Sequence, residues 1–261
     1  MQRKFGILAN CIVGEDPVQT LDKIKAHGFE SFFSIDYDEK TVLALQEKAQ
    51  KLGLVYEFIH GPFDGINEMW TSEQTPKIFN EMCTAITSAG KAGVKTVIVH
   101  VSSSENPPPV CDLGLARFDK WVELAEQNGV ILAFENLRKF GNFAYLLQRY
   151  EHKENVRYCY DCGHEHCFTV HVPFLEFLGD KLICTHIHDN FGKNLARPDG
   201  GDLHLLPFDG DIDYQKMMRG LNGANYQGSL MLEVFNLGYP QYSPDEFLSE
   251  AFERIKKISL F

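Results

Sequence analysis

The chain has 261 residues, 44% of them hydrophobic and 20 of them Phe, enough to bury a sizeable core in one large domain or two small ones. Its 36 acidic residues outnumber 25 basic ones for a net charge of −11, which leaves no basic footprint for nucleic acid or an anionic membrane. Met1-Gln2-Arg3-Lys4 runs into a short strand-like segment and not a long apolar leader, and no window approaches the roughly 18 apolar residues a membrane span needs. Seven cysteines without a small-domain spacing read as reduced thiols, and together these features describe a cytoplasmic enzyme.

Taken in order, the chain alternates short apolar runs with helical segments. Phe5–Ala9 is a first strand, and Pro17–Ala26 a helix that opens with Pro and ends before Gly28. Phe29–Ile35 and Glu39–Leu52 form the second pair, closed by Gly53. Leu54–His60 is the third strand, followed by a loop over Gly61–Thr71 and a helix over Thr75–Ala92 that stops at Gly93. Val94–Val101 is the clearest strand, a continuous β-branched run. Pro107-Pro108-Pro109 keeps Ser102–Asp112 a loop before the helix Leu113–Asn128. Val130–Glu135 and Asn142–Tyr150 make the fifth unit, Val156–Asp161 and Val172–Phe177 the sixth. Leu182–His188 is strand seven, a long Gly- and Pro-rich loop follows, and Ile212–Leu221 is helical. Ser229–Phe235 and Pro244–Lys257 complete an eighth unit.

Eight β-α units whose strands are apolar throughout predict parallel strands covered on both faces, and the length suits a closed, single-domain (β/α)8 TIM barrel over residues 1–261. An open doubly wound sheet is the competitor. It would carry a Gly-rich fingerprint after strand one, and Asn10-Cys11-Ile12-Val13-Gly14 is not one.

In such barrels chemistry sits at the C-terminal ends of the strands. Strands three to eight end in His60, His100, Glu135, Asp161, His186 with His188, and Glu233, all of them residues that bind metals. An unpaired buried carboxylate is expensive, and I-L-A-F-E and L-M-L-E each bury one, so a divalent cation at the centre of the ring is expected. Strand alternation puts Cys184, His186 and His188 on one face and Cys159 with Asp161 on another, while Cys162 points away. A Cys159–Cys162 zinc knuckle is therefore geometrically poor for one metal. His164 lies in the turn after strand six and leans over the mouth. His27, His152, His166 and His171 are read as solvated.

The motifs F-E-N at 134–136, D-C-G-H at 161–164, H-I-H-D at 186–189, D-L-H at 202–204 and L-E-V at 232–234 resemble the xylose-isomerase-like TIM-barrel superfamily over essentially the whole chain. That superfamily holds sugar isomerases and epimerases, the sugar phosphate isomerase/epimerase members among them, and the endonuclease IV type of apurinic-site endonuclease. The resemblance to ketose 3-epimerases implies a Mn²⁺-type ion on Glu135, Asp161, His186 and Glu233, with His164 touching substrate. The resemblance to the endonuclease branch implies up to three zinc ions, with His60, His100, His164, Asp202 and His204 as the additional ligands. Phe208-Asp209 stands where the repair enzymes carry Gly-Glu, and the order of H-I-H-D-N also departs from their pattern.

The leading reading is a divalent-metal-dependent sugar isomerase or epimerase, using zinc or manganese and one to three ions. Proton abstraction next to a carbonyl would pass through a metal-stabilised enediolate. Glu135 and Glu233 are the acid and base. His164, His188, Lys193 and Arg197 would contact the substrate oxygens, and Trp70 and Phe63 would form an apolar wall over a small sugar or cyclitol. The alternatives are a multi-zinc phosphodiesterase acting on abasic DNA, disfavoured by charge, and a dehydratase or lyase using the same carboxylates. No membrane partner is expected, and a homo-oligomer is compatible with the sequence.

Overall fold

A computed structural model describes residues 3–193 and 201–261. Eight parallel strands follow one another around a barrel: β1 (Phe5–Leu8), β2 (Ser31–Ser34), β3 (Val55–His60), β4 (Thr96–Val99), β5 (Ile131–Glu135), β6 (Val156–Asp161), β7 (Leu182–His186) and β8 (Leu230–Leu232). Sequential neighbours pair from β1 to β7, and β8 pairs with β1. The seam between β7 and β8 closes through one residue. Ile187 N–H donates to Met231 O at 2.8 Å, and Glu233 N–H donates to Ile187 O at 3.0 Å. Below that point the Thr185 hydroxyl stands in for backbone, donating to Ser229 O at 3.1 Å and accepting from Met231 N–H at 3.3 Å. The barrel is thus nearly closed, and sheet edges that would otherwise be open are satisfied.

The helices are α1 (Pro17–Ala26), α2 (Glu39–Leu52), α3 (Glu68–Thr71), α4 (Lys77–Ala92), α5 (Asp112–Asn128), α6 (Phe140–Arg149), α7 (Cys162–Phe168), α8 (Phe174–Leu178), α9 (Tyr214–Gly223) and α10 (Pro244–Ile258). Their ends follow the local chemistry. Asp16, Asp38 and Ser243 cap α1, α2 and α10 with side-chain acceptors, and Gly53, Gly93 and Gly129 take left-handed φ of 65°, 76° and 65° at the ends of α2, α4 and α5.

Two helices depart from the sequence expectations. The segment Gly61–Thr71, read as loop, contains α3. Arg117 of α5 gathers it from outside, donating to the carbonyls of Glu68, Met69, Ser72 and Gln74 at 2.7–3.1 Å. The turn expected after β6 is α7, and its residues are poor helix formers, so tertiary contacts make it. Asp161 caps it by accepting from His164 N–H at 2.6 Å. Gly163 is required there: a Cβ would stand 1.9 Å from Cε1 of His188.

One continuous apolar core fills the barrel and the space beneath the helices. By strand alternation Phe58, Ile98, Ala133, Cys159, Cys184 and Met231 lie one layer below the strand-end residues, and all are buried. That floor places the charged groups above it in a low-dielectric setting, where each must find a partner or a cation. All seven cysteines are free. Among the described residues no helix is long and apolar enough to cross a membrane.

Candidate metal centre at the barrel mouth

Six strands deliver one ring of side chains. Asp161 and His186 are direct partners across β6 and β7, and Glu135 sits opposite Cys159 on the neighbouring ladder. His186 Nδ1 lies 2.9 Å from Glu135 Oε1, 3.3 Å from Glu233 Oε2 and 3.8 Å from Asp161 Oδ2. Ligand atoms of Glu135, Asp161, His186 and Glu233 all lie within 4.8 Å of one another, and all four residues are buried. Four further groups share this geometry, two of them free of His186 and Glu233. His60 and His100 bring Nε2 to 3.6 and 2.9 Å from Glu135 Oε2. Asp202 Oδ2 lies 3.0 Å from His164 Nε2 and 3.4 Å from His204 Nε2. Adjacent ligand atoms around a tetrahedral zinc stand about 3.3 Å apart, from bonds of about 2.0–2.1 Å, so these separations suit such an ion.

The histidine orientations support a metal-holding role. His60 and His204 each turn Nδ1 to a backbone carbonyl, of Gly61 at 2.8 Å and of Glu233 at 3.0 Å, which leaves the Nε2 lone pair facing the carboxylates. His100 Nε2 and Glu135 Oε2 are close but lack hydrogen-bond alignment, and both are buried without a hydrogen-bond partner. His164 Nδ1 and Asp202 Oδ1 are orphaned in the same way. Buried polar atoms are rarely left unmatched, and a shared cation accounts for several orphans at once. The donor set of imidazoles and carboxylates therefore fits one or more divalent ions.

The electrostatics agree. Burial alone would raise the Glu135 carboxyl, but His186 and His100 outweigh it and hold it well below the usual range. Burial raises and His164 and His188 lower Asp161, with a net fall. Burial works to lower the histidines, yet Glu233 and Glu135 push His186 up to about 10, while Asp202 and Glu233 push His204 up to about 9. Without a cation, protons on these rings balance the carboxylates; a bound divalent ion displaces them.

The other expected residues divide. His164 reaches both Glu135 and Asp161, with Nδ1 at 3.4 and 3.5 Å, and so bridges two groups of ligands. His188 is fully buried, with Nε2 3.2 Å from Asp161 and its ring stacked on His204 at 4.0 Å. With His204 and Glu233 it forms a further group whose ligand atoms lie within 4.8 Å of one another. Phe63 stacks on His100 at 4.7 Å and is 45% exposed, an open aromatic face beside the ring. Trp70 does not join it. It is 3% exposed, donates its indole N–H to Val101 O at 2.9 Å and stacks on Phe118 under the loop, which corrects its expected place in an apolar wall. Lys193 stands at the rim, bonded to Glu105 at 2.8 Å. Arg197 lies outside the described residues. No cysteine enters a candidate metal group among the described residues, in keeping with the strand argument.

Sequence reasoning passed over the side chains that hold the ring in place. Asn136 is fully buried: its Oδ1 accepts from Asp161 N–H and from the Tyr158 hydroxyl, both at 2.8 Å, and its Nδ2 donates to Asp161 O at 2.8 Å. Asp189 accepts from the N–H groups of Asn190, Phe208 and Ile212 at 2.9, 2.8 and 3.2 Å, and its backbone pairs with Leu205. It thereby anchors the return of the loop that carries Asp202 and His204. Both follow directly on ring residues in F-E-N and H-I-H-D-N, the one signal that pointed to them. A groove of about 1230 Å³ lies elsewhere, beside α8 and α9, lined by Phe174, Phe177 and Met217. It includes no residue of the ring.

Comparison with known proteins places this architecture. The chain is 33% identical over 160 residues to the uncharacterized protein y4fM of Sinorhizobium fredii, a match covering 56% of this chain and 49% of that one, so it spans about half the length of this curated relative. Its fold is similar to a 3-keto-D-glucoside 4-epimerase from E. coli, with TM-score 0.75 and 15% identity over 100% of each chain. It is similar also to a D-allulose 3-epimerase from Methylomonas sp., with TM-score 0.73 and 14% identity over 98% of each chain. The family model of the xylose isomerase-like TIM barrel matches residues 21–258, and the chain belongs to that family.

Proposed function

We propose that the protein is a divalent-metal-dependent isomerase or epimerase of a small sugar or cyclitol, working by proton transfer at the carbon next to a carbonyl. The observation that carries this reading is the buried convergence of Glu135, Asp161, His186 and Glu233 at the barrel mouth. The sugar epimerases of similar fold support the substrate class. These four residues would hold the ion. When bound, the ion would polarise adjacent carbonyl and hydroxyl oxygens and stabilise the negative charge that develops on them.

The chain's own residues divide the remaining work. Glu135 commits both oxygens to histidines, Oε1 to His186 and His164 and Oε2 to His60 and His100. Glu233 turns Oε2 to His186 and His204, at 3.3 and 3.8 Å, and is the less encumbered carboxylate. We assign Glu233 the first proton transfer and Glu135 the return on the opposite face. His164 would orient substrate oxygens, and Phe63 would pack against the apolar face of the ring. A dehydratase or lyase would begin with the same proton abstraction.

A second reading rests on a specific observation. His60 with His100 and Glu135, and His164 with Asp202 and His204, form two further ligand groups around the quartet. A multi-zinc phosphodiesterase acting on abasic DNA would use all three.

One experiment separates the readings: metal analysis of the purified protein, coupled to a panel of ketoses assayed for carbon-bound deuterium exchange from solvent. The isomerase reading expects exchange that chelation abolishes and added Mn²⁺ or Zn²⁺ restores. About three zinc ions per chain, cleavage of abasic DNA and no exchange with any ketose would overturn it.

A further inference from the structure

The loops that follow β4, β5 and β7 meet on the C-terminal face of the barrel. Glu105, between β4 and α5, accepts a hydrogen bond from the Lys193 ammonium at 2.8 Å across 88 residues of sequence. Its other oxygen lies 3.9 Å from Nε of Arg138, between β5 and α6. Arg138 lays its guanidinium over the Phe168 ring at 4.5 Å, and that ring lies 6.0 Å from the ring of His164. Two cations at the rim thus share one carboxylate, a short step from the metal centre. Among the described residues Arg138 makes no side-chain hydrogen bond.

The Arg138, Glu105 and Lys193 side chains are 40%, 51% and 45% exposed, and ion pairs so open to water contribute little stability. Glu105 is therefore a weak and replaceable partner. A guanidinium placed over an aromatic face, with no other hydrogen bond, keeps its planar fork of donors available, and that fork matches an oxyanion.

We propose that Arg138 and Lys193 form an oxyanion subsite at the rim of the mouth, occupied by Glu105 at rest and taken over by a phosphate or carboxylate carried on the substrate. The substrate is then an anionic polyol, with its reacting carbon at the ring of ligands and its anionic end at the rim. The identity of the reaction rests on the function proposed above, but the subsite can be tested without turnover.

The test measures binding of inorganic phosphate, and separately of acetate, to the metal-loaded full chain by calorimetry at low ionic strength. Wild type is compared with Arg138→Ala, Lys193→Ala and Glu105→Gln, with thermal melting as a check that each variant folds. The two cation deletions should weaken anion binding about tenfold each, while Glu105→Gln should strengthen it several-fold by freeing both cations. A response confined to phosphate, or to acetate, supports the subsite and names the anion. Equal affinity in all four proteins would place the anion on the metal alone and overturn the proposal, as would weaker binding in Glu105→Gln. Abasic oligonucleotide binding that depends on the same two cations, with phosphate unaffected, would also overturn it. If anion binding follows the expected order and no ketose is turned over, the subsite stands and the isomerase reading fails. Ketose exchange with anion binding indifferent to these residues has the opposite meaning.

Discussion

The barrel has two unequal walls. Strands β3 to β8 lead into His60, His100, Glu135, Asp161, His186 and Glu233, whereas β1 and β2 lead out through Leu8-Ala9 and Ser34-Ile35 and, among the described residues, bring none into a candidate metal group. The β2 wall contributes apolar surface instead: Phe33 stacks on His186 at 5.0 Å and on Phe58 at 4.8 Å. The ligand wall supplies charge, and the apolar wall fixes where that charge can sit. His186 is the hinge between them, wedged between aromatic rings on one side and three carboxylates on the other. A ring of histidines and acids is thus made specific by a neighbour with no chemistry of its own.

Substitutions on the two walls should fail in different ways. The largest effect is expected from Glu135→Ala, which removes the carboxylate shared by the quartet and by the His60–His100 group. Solvent deuterium exchange should fall by about 10³-fold or more, and metal content should drop with it. Full metal content together with unchanged exchange would show that the ligand wall is structural. On the opposite wall, Phe33→Ala should cost about 3–5 kcal/mol of stability, a fall in Tm of roughly 10 °C for a chain of this size, while the folded fraction keeps its metal count. Equal loss of metal in the two variants would mean that the walls cannot be separated.

Asp189→Asn tests the scaffold behind the ligand wall. It keeps the shape but loses the charge that gathers three backbone N–H groups, a cost of about 1.5–3 kcal/mol. The Asp202 and His204 group should loosen while the quartet holds. Titration with Zn²⁺ would show one fewer tight site per chain if the protein takes several ions, and no change if it takes one. The smallest effect on stability is expected at Phe63, whose replacement by Ala should shift it by no more than about 0.5 kcal/mol. If its exposed face meets the substrate, KM should rise several-fold with little change in kcat.

Much of the barrel could be read directly. Apolar runs such as V-I-V at 97–99 and I-L-A-F at 131–134 mark parallel strands buried on both faces, and the glycines at 53, 93 and 129 end their helices where left-handed φ is needed. The period-two rule placed His186 and His188 on one face, and both point inward. Residues with no local signature were harder. Trp70 looked like a sugar wall because it follows a histidine-ended strand, and only the packing of α5 shows that it is filled in by Gly114 and Phe118. The helix over Cys162–Phe168 was missed because its residues disfavour helix, and its stability comes from a cap and from contacts across the mouth.

The sequence by itself determined the repeat, the fold class and which histidines and carboxylates stand at the strand ends, because strand period and burial are local properties that side-chain type reports. The tertiary structure alone decided which of these side chains share an ion-sized space, that Glu135 serves two groups at once, and that His188 meets His204 and Glu233. It alone brought Glu105, Arg138 and Lys193 together from three separate loops. Distances of a few ångströms between residues up to 173 positions apart, such as His60 and Glu233, depend on how the barrel closes. Closure is a property of the whole chain, and no segment carries it.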